Sequence, residues 1–305
     1  QDIAFQGLIA PHMKLFFAIM LLLISTASYS DIVVHREKSL YRNIVVTEKA
    51  GKRCLVFSIK LQQRNQTCVD INDPTHIVFA YVRMIFAGLL VNPKPTRGLM
   101  IGMGGGTISS VLTSIYPNLT MDLVEVDPAV VKVATDYFGF RKTRQIDVHV
   151  TDGRVFARRA LRRKEQYDLI ILDAFTGEYI PEHLMTVEFL ENIKSLLTPG
   201  GIVIANTFSG SSLYHHESVT YSAVFGPLFS LKMPGTGNRV IVASTVDLPD
   251  SETLMANAMM LKPDFEHYKI DLRKYVPNMN RDPDWKTDKR LLTDQYAPAN
   301  LLRGR

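Results

Sequence analysis

Cysteine is scarce in this chain: of 305 residues only Cys54 and Cys68 carry a thiol. So low a count excludes a small disulfide-scaffolded fold. An excess of charge of one sign is missing as well. Thirty-five Lys and Arg against 30 Asp and Glu leave a formal charge of +5, a mixed balance that gives no reason to expect nucleic acid as a partner. There is no internal repeat and no low-complexity tract, and beyond residue 30 no apolar run is long enough to cross a bilayer. What the chain does have is a hydrophobic content of 46%, ample for an ordinary globular core.

The one long apolar run lies near the start. Lys14 follows Met13, Leu15 to Ile24 is apolar, and Ser25 to Ser30 is small and polar. That order predicts a signal peptide or membrane anchor over residues 13–30, although the run is short for a spanning helix. Residues 1–12 precede Met13 and read as an extension without a fold of its own. A working signal implies a periplasmic or secreted location, or anchoring at the inner membrane; without one the location is cytoplasmic. Cys54 and Cys68 flank the polar stretch Gln62-Gln63-Arg64-Asn65 almost symmetrically. On a hairpin they would face each other and pair in an oxidising compartment, the alternative being two buried free thiols.

Two periodicities divide the rest. Over residues 31–75, apolar stretches at Ile44 to Val46 and Leu55 to Phe57, separated by Gly51-Lys52, predict a small antiparallel sheet. Residues 76–305 begin with a helix over 78–90, stopped by Asn92-Pro93. Short β-rich runs then alternate with helix-length segments: 99–101, 123–126, 148–150, 169–172 and 202–205. This is the pattern of βαβ units and a parallel sheet. Two final strands, 229–233 and 239–244, have a connection short enough only for a hairpin. The expected fold is therefore α/β: a Rossmann-like, S-adenosylmethionine-dependent methyltransferase type of sheet, seven-stranded and mostly parallel, behind the small antiparallel one.

The chemistry-bearing residues stand at the ends of those strands. Gly102, Gly104, Gly105 and Gly106 follow the first strand and precede the helix 107–115, where they let backbone amides and a helix N-terminus approach a nucleoside. Glu125 ends the second strand, with Val126 beside it, and its carboxylate can accept both hydroxyls of a ribose. Asp127 and Pro128 read as cap and first residue of the next helix. Asp152-Gly153 after the third strand can accept the exocyclic amine of adenine. Asp173, closing the fourth, would sit beside a sulfonium carbon as a proton acceptor. His215-His216-Glu217 reads as solvated surface and no metal site is expected. The basic run Arg158 to Lys164 reads as an exposed helix face.

Together, Gly102 to Gly106, Val124 to Asp127, Asp152-Gly153, Tyr167 to Asp173 and Leu197 to Gly201 resemble the polyamine aminopropyltransferases, spermidine synthase in particular. Ser39 to Ile44, Arg53 to Leu55, Tyr81 to Met84 and Leu291 to Pro298 extend the similarity over residues 35–302. The resemblance implies Glu125 on ribose, Asp152 on adenine, Asp173 as general base, Tyr81 and Gln62 at the cofactor, and a homodimer. It also exposes departures. Arg42 replaces a Gln, Val82 a His, Gly104 the Asp that holds the amine of decarboxylated S-adenosylmethionine, and Thr176 a second acidic residue beside the diamine. The nucleoside half of the pattern is kept and the cation half is not.

The expected ligand is S-adenosylmethionine or its decarboxylated form, with Arg42 and Arg83 able to favour a carboxylate and hence the intact molecule. Arg42, Thr176 and Tyr214 are the candidate substrate contacts. The expected activity is transfer of an aminopropyl-type group to an amine. Methyl transfer or cleavage on the same scaffold, and a non-catalytic nucleoside-binding role, are the alternatives.

Overall fold

The computed structural model describes residues 31–59, 62–175 and 179–296, apart from the side chains at 58, 59 and 62–64. The segment 13–30, Thr176 and the side chain of Gln62 lie outside the described residues.

Four antiparallel strands come first, in the order β1 (Ile32–Lys38), β2 (Asn43–Lys49), β3 (Lys52–Ile59) and β4 (Gln62–Asp70). The polar stretch Gln62 to Asn65 is strand rather than turn: Ile59 pairs with Gln62, and Cys54 lies directly opposite Cys68. Those two cysteines form a disulfide with their Cα atoms 4.1 Å apart. The register slips once, because Leu55 faces Thr67 while Val56 faces Asn65. Gln66 is thus an extra residue on β4, and a bulge of this kind bends the strand and re-aims a side chain.

Helix α1 (Ala80–Ala87) leads into the second layer system: β5 (Arg97–Ile101), α2 (Thr107–Ile115), β6 (Thr120–Glu125), α3 (Pro128–Tyr137), β7 (Ile146–Val150), α4 (Gly153–Arg162), β8 (Tyr167–Leu172), α5 (Val187–Ser195), β9 (Leu197–Phe208), α6 (Tyr214–Phe225), β10 (Leu228–Lys232), β11 (Asn238–Ser244), α7 (Ser251–Glu266) and β12 (Met279–Asn280). The sheet order is β12-β10-β11-β9-β8-β5-β6-β7. Strands β5 to β9 pair in parallel, and β9, β11 and β10 pair antiparallel. The expected seven strands are eight, because Met279 and Asn280 add a two-residue edge beside β10.

Successive side chains of a strand point to opposite faces. Leu99 and Ile101 enter the core packed under α4, α5 and α6, while Met100 enters the core under α1, α2 and α7. A sheet covered on both faces reads as near-continuous apolar sequence, as β5 and β8 do. In such a sheet the ligand crevice opens at the carboxyl ends of the strands, where their order reverses. Here that is the junction of β5 with β6 on one side and β8 on the other.

Candidate active site

The turn after β5 is shaped by its glycines. Gly102 has φ +88°, and a Cβ there would lie 2.4 Å from the carbonyl oxygen of Asp173, so only glycine lets this turn pass the end of β8. Gly104, at φ +51°, has open space beside it and faces the cleft. Gly105 and Gly106 are held by packing against other segments. A Cβ at Gly105 would meet the Thr67 methyl at 2.6 Å, and one at Gly106 the Phe140 ring at 2.4 Å. Both are packing positions, and neither borders the cleft.

Beneath this turn is a cavity of about 290 Å³, bordered by Gly102, Gly104, Glu125, Val126, Asp152, Gly153, Asp173, Tyr81 and Arg42, all named from the sequence. Glu125 is nearly buried, and its carboxylate accepts the amides of Met103 (3.3 Å) and Asp127 (3.1 Å). Burial pushes its pKa up and these two amides pull it back. Asp127 caps α3 through Ala129 N at 2.9 Å and accepts the Ser39 hydroxyl at 2.6 Å. It is a structural carboxylate, as its position before Pro128 predicts.

Asp152 caps α4: its Oδ1 accepts the amides of Arg154 (2.9 Å) and Val155 (3.0 Å). Its Oδ2 lies 2.8 Å from Nε2 of His183, which lowers its pKa. Asp173 emerges at the end of β8, its own amide bonded to Ile101 O at 2.9 Å. Its carboxylate accepts Asn206 Nδ2 at 2.8 Å and the Tyr81 hydroxyl. Burial nevertheless lifts its pKa to about 7, the two hydrogen bonds opposing. The Tyr81 hydroxyl is held well above its usual range, first by burial and then by Asp173, so it remains a donor.

Several expected residues are placed elsewhere. Tyr214 does not border the cleft; it stacks against Arg239, 4.2 Å from ring centroid to guanidinium, and its hydroxyl bonds Asp284. Glu217 is not solvated surface: it is buried and pairs with the buried Arg239 at 2.7 Å. Arg83 turns away and donates to Ile77 O. Arg42 does border the cleft, but its guanidinium lies over Phe57 at 4.3 Å, donates to Phe175 O at 3.1 Å and sits 3.9 Å from Asp127.

Other residues at the site were not anticipated. His183 has no signal in the sequence, since it lies in a short 3₁₀ turn. Gln66 borders the cleft, at the bulge in β4. Asn206 had a readable signal: it is the polar residue closing the apolar run of β9, as Asp173 closes that of β8.

A doubly wound sheet with a glycine turn and two cleft-bordering carboxylates, Glu125 and Asp173, at strand ends has the Rossmann-like fold of the S-adenosylmethionine-dependent methyltransferase type. A family model described as the spermine/spermidine synthase domain matches residues 78–233. The polyamine aminopropyltransferase of Vibrio vulnificus (strain CMCP6) is 47% identical over 293 residues, 95% of this chain and 98% of that protein. The chain belongs to the spermine/spermidine synthase family. Among solved structures, a probable spermidine synthase from Corynebacterium glutamicum ATCC 13032 superposes with a TM-score of 0.62 at 20% identity, covering 85% of this chain and 99% of that one. A spermidine synthase in complex with the transition state analogue AdoDATO gives 0.57 at 20% identity, covering 77% and 88%. At these identities the two structures share the fold.

Proposed function

We propose that the chain transfers an aminopropyl group from decarboxylated S-adenosylmethionine to an amine, with Asp173 as general base. The observation that carries this is a cleft-facing carboxylate, raised to about 7 by burial, on the same crevice as Glu125 and Asp152. A base so poised is ionised near neutral pH yet still takes a proton readily.

The amine lone pair attacks the aminopropyl methylene bound to sulfur. As the C–N bond forms, the C–S bond breaks and its electron pair goes to sulfur, leaving neutral methylthioadenosine. The new ammonium gives its proton to Asp173. The sulfonium is already a good leaving group, so alignment supplies much of the rate. A second hollow, bordered by Phe79, Tyr81, Asn206, Phe208 and Asn238, adjoins Tyr81 and Asn206, the two residues that hold Asp173. It suits an alkyl amine, through apolar walls and amide groups.

The decarboxylated ligand is favoured over the intact one because Arg42 already donates Nη1 to the Phe175 carbonyl and lies 3.9 Å from the Asp127 carboxylate. Identity of 47% to a polyamine aminopropyltransferase supports the same choice over methyl transfer. The test is to incubate the full chain with decarboxylated S-adenosylmethionine and a panel of primary amines under mass spectrometry. Methylthioadenosine and an amine heavier by one aminopropyl group are expected. No product, or S-adenosylhomocysteine from the intact sulfonium, would reject the reading.

We also propose that the chain works outside the reducing cytoplasm, as a homodimer. The Cys54–Cys68 disulfide and the charged, apolar, small order of residues 13–30 support the first part. The exposed Ile32, Val33 and Val34 on the open edge strand β1 support the second. Recovery of free thiols from cells, or sedimentation as a monomer, would reject the respective part.

A further inference from the structure

The adenine-facing wall is built from three separate stretches of chain. Asp152 offers two carboxylate oxygens, and α4 consumes one of them, with Oδ1 accepting Arg154 N and Val155 N at 2.9 and 3.0 Å. Only Oδ2 is left for a ligand. It lies 2.8 Å from His183 Nε2, and both residues border the cleft. An ionised carboxylate is acceptor-only, so the histidine nitrogen facing it must be the donor.

His183 stands on the single 3₁₀ turn Glu182–Leu184, too short to hold a ring in place unaided. The C-terminal stretch Leu291 to Tyr296 supplies the support. Asp294 takes Arg154 in a two-pronged ion pair, with Nη1 to Oδ1 at 2.6 Å, and Arg154 Nη1 also reaches the His183 carbonyl at 3.3 Å. Val187 N donates to Leu292 O at 2.8 Å, Asp294 N donates to Glu188 at 3.0 Å, and Leu292 is fully buried. Paired forks of this type fix direction as well as distance.

We propose that His183, held by the Arg154–Asp294 pair, is a positioning residue: it aims Asp152 Oδ2 at the 6-amino group of the bound nucleoside and so sets selectivity for adenine. A carboxylate oxygen has lone pairs for two donors, and with His183 occupying one, the other is directed into the cleft. Without His183 the carboxylate can rotate about its cap, and the 6-amino group loses its fixed partner. The inference rests on the nucleoside-binding reading of the cleft.

The test is calorimetry on the full chain with two probes: methylthioadenosine, and the 5′-methylthio derivative of purine riboside, which lacks the 6-amino group. The wild type should prefer methylthioadenosine by on the order of 100-fold or more, as sites built around a donor do. In His183→Ala that preference should shrink at least five-fold, mostly through weaker methylthioadenosine binding. His183→Gln, which keeps a donor amide, should restore most of it. In turnover, KM for the nucleoside substrate should rise by more than kcat falls. An unchanged preference in His183→Ala, tighter binding of methylthioadenosine, or equal loss in the Ala and Gln variants would overturn the proposal. Failure of the wild type to bind either probe would overturn the nucleoside reading, and this inference with it.

Discussion

Asn206 Nδ2 donates to Asp173 Oδ1 across 2.8 Å because the two residues are the next positions after a registered pair, Leu172 on β8 and Ala205 on β9. Parallel pairing carries both polar side chains to the same edge of the sheet. There the amide steadies a carboxylate whose surroundings favour the proton-bound form.

That contact makes the pH dependence of turnover specific. With Asp173 at about 7 in the free protein, kcat/KM should rise with pH along a limb centred near 7. Removing a hydrogen bond made to the ionised form raises a pKa, so Asn206→Ala should move the limb upward by about half a unit to one unit. A pH–rate profile of the two proteins, with no displacement or a downward one, would refute the assignment.

Asp173→Asn separates chemistry from stability. Loss of a general base lowers turnover by roughly 10² to 10⁴. The same change should stabilise the fold at alkaline pH. A carboxyl at 3.8 when unfolded and about 7 when folded means that the native state binds the extra proton, so stability falls as pH rises from about 4 to about 7. The amide is spared that loss, and at pH 8 the variant should be more stable by on the order of 1–3 kcal/mol. Thermal melts at pH 4 and pH 8 read this directly: the gap between variant and wild type should be wide at pH 8 and nearly closed at pH 4.

The two cleft glycines should respond differently to alanine. Gly102→Ala drives a methyl into the Asp173 carbonyl at 2.4 Å and strains a φ of +88°. A loss of about 2–4 kcal/mol of stability is expected, together with loss of nucleoside binding. Gly104→Ala meets no atom within 4 Å and should cost about 1 kcal/mol in backbone strain, lowering nucleoside affinity more than stability. Denaturant titration and calorimetry on both variants check the order.

The disulfide makes a separate prediction. It joins cysteines 14 residues apart, a loop for which chain-entropy arguments give about 3 kcal/mol. Cys54→Ser with Cys68→Ser, or reduction of the wild type, should lower stability by about that much. Because Gln66 and Phe57 lie within three residues of the two cysteines and border the cleft, nucleoside affinity should drop alongside. Equal stability of oxidised and reduced protein would show that the bond closes without constraining the hairpin.

Much of the fold was legible because each parallel strand announces itself as an apolar run ended by a polar residue. Helix 107–115 lies where its sequence predicts it, and Asp127-Pro128 open α3 as expected. Glu125, Asp152 and Asp173 all stand at strand ends, so the rule that sheets of this kind bind at their carboxyl edge brought them to one cleft. What went astray depended on features without a periodic signal. A single inserted residue in β4 brings Gln66 to the cleft, and Tyr214, the first residue of α6, faces Arg239 rather than the cleft. Gly105 and Gly106 looked equivalent to their neighbours, yet their partners Thr67 and Phe140 come from distant parts of the chain.

By itself the sequence determined the alternation of strands and helices, the order of polar residues at the strand ends, and the turn that only glycine can make, since these follow from local sterics and from apolar period. The tertiary structure alone decided how ionisable those residues are and whom they meet. Burial, which no local pattern records, moves Asp173 to about 7. Contacts across 31 residues join His183 to Asp152, and contacts across 140 join Arg154 to Asp294. Such pairings arise when packed layers bring remote segments together, and the spacing of residues along the chain carries no trace of them.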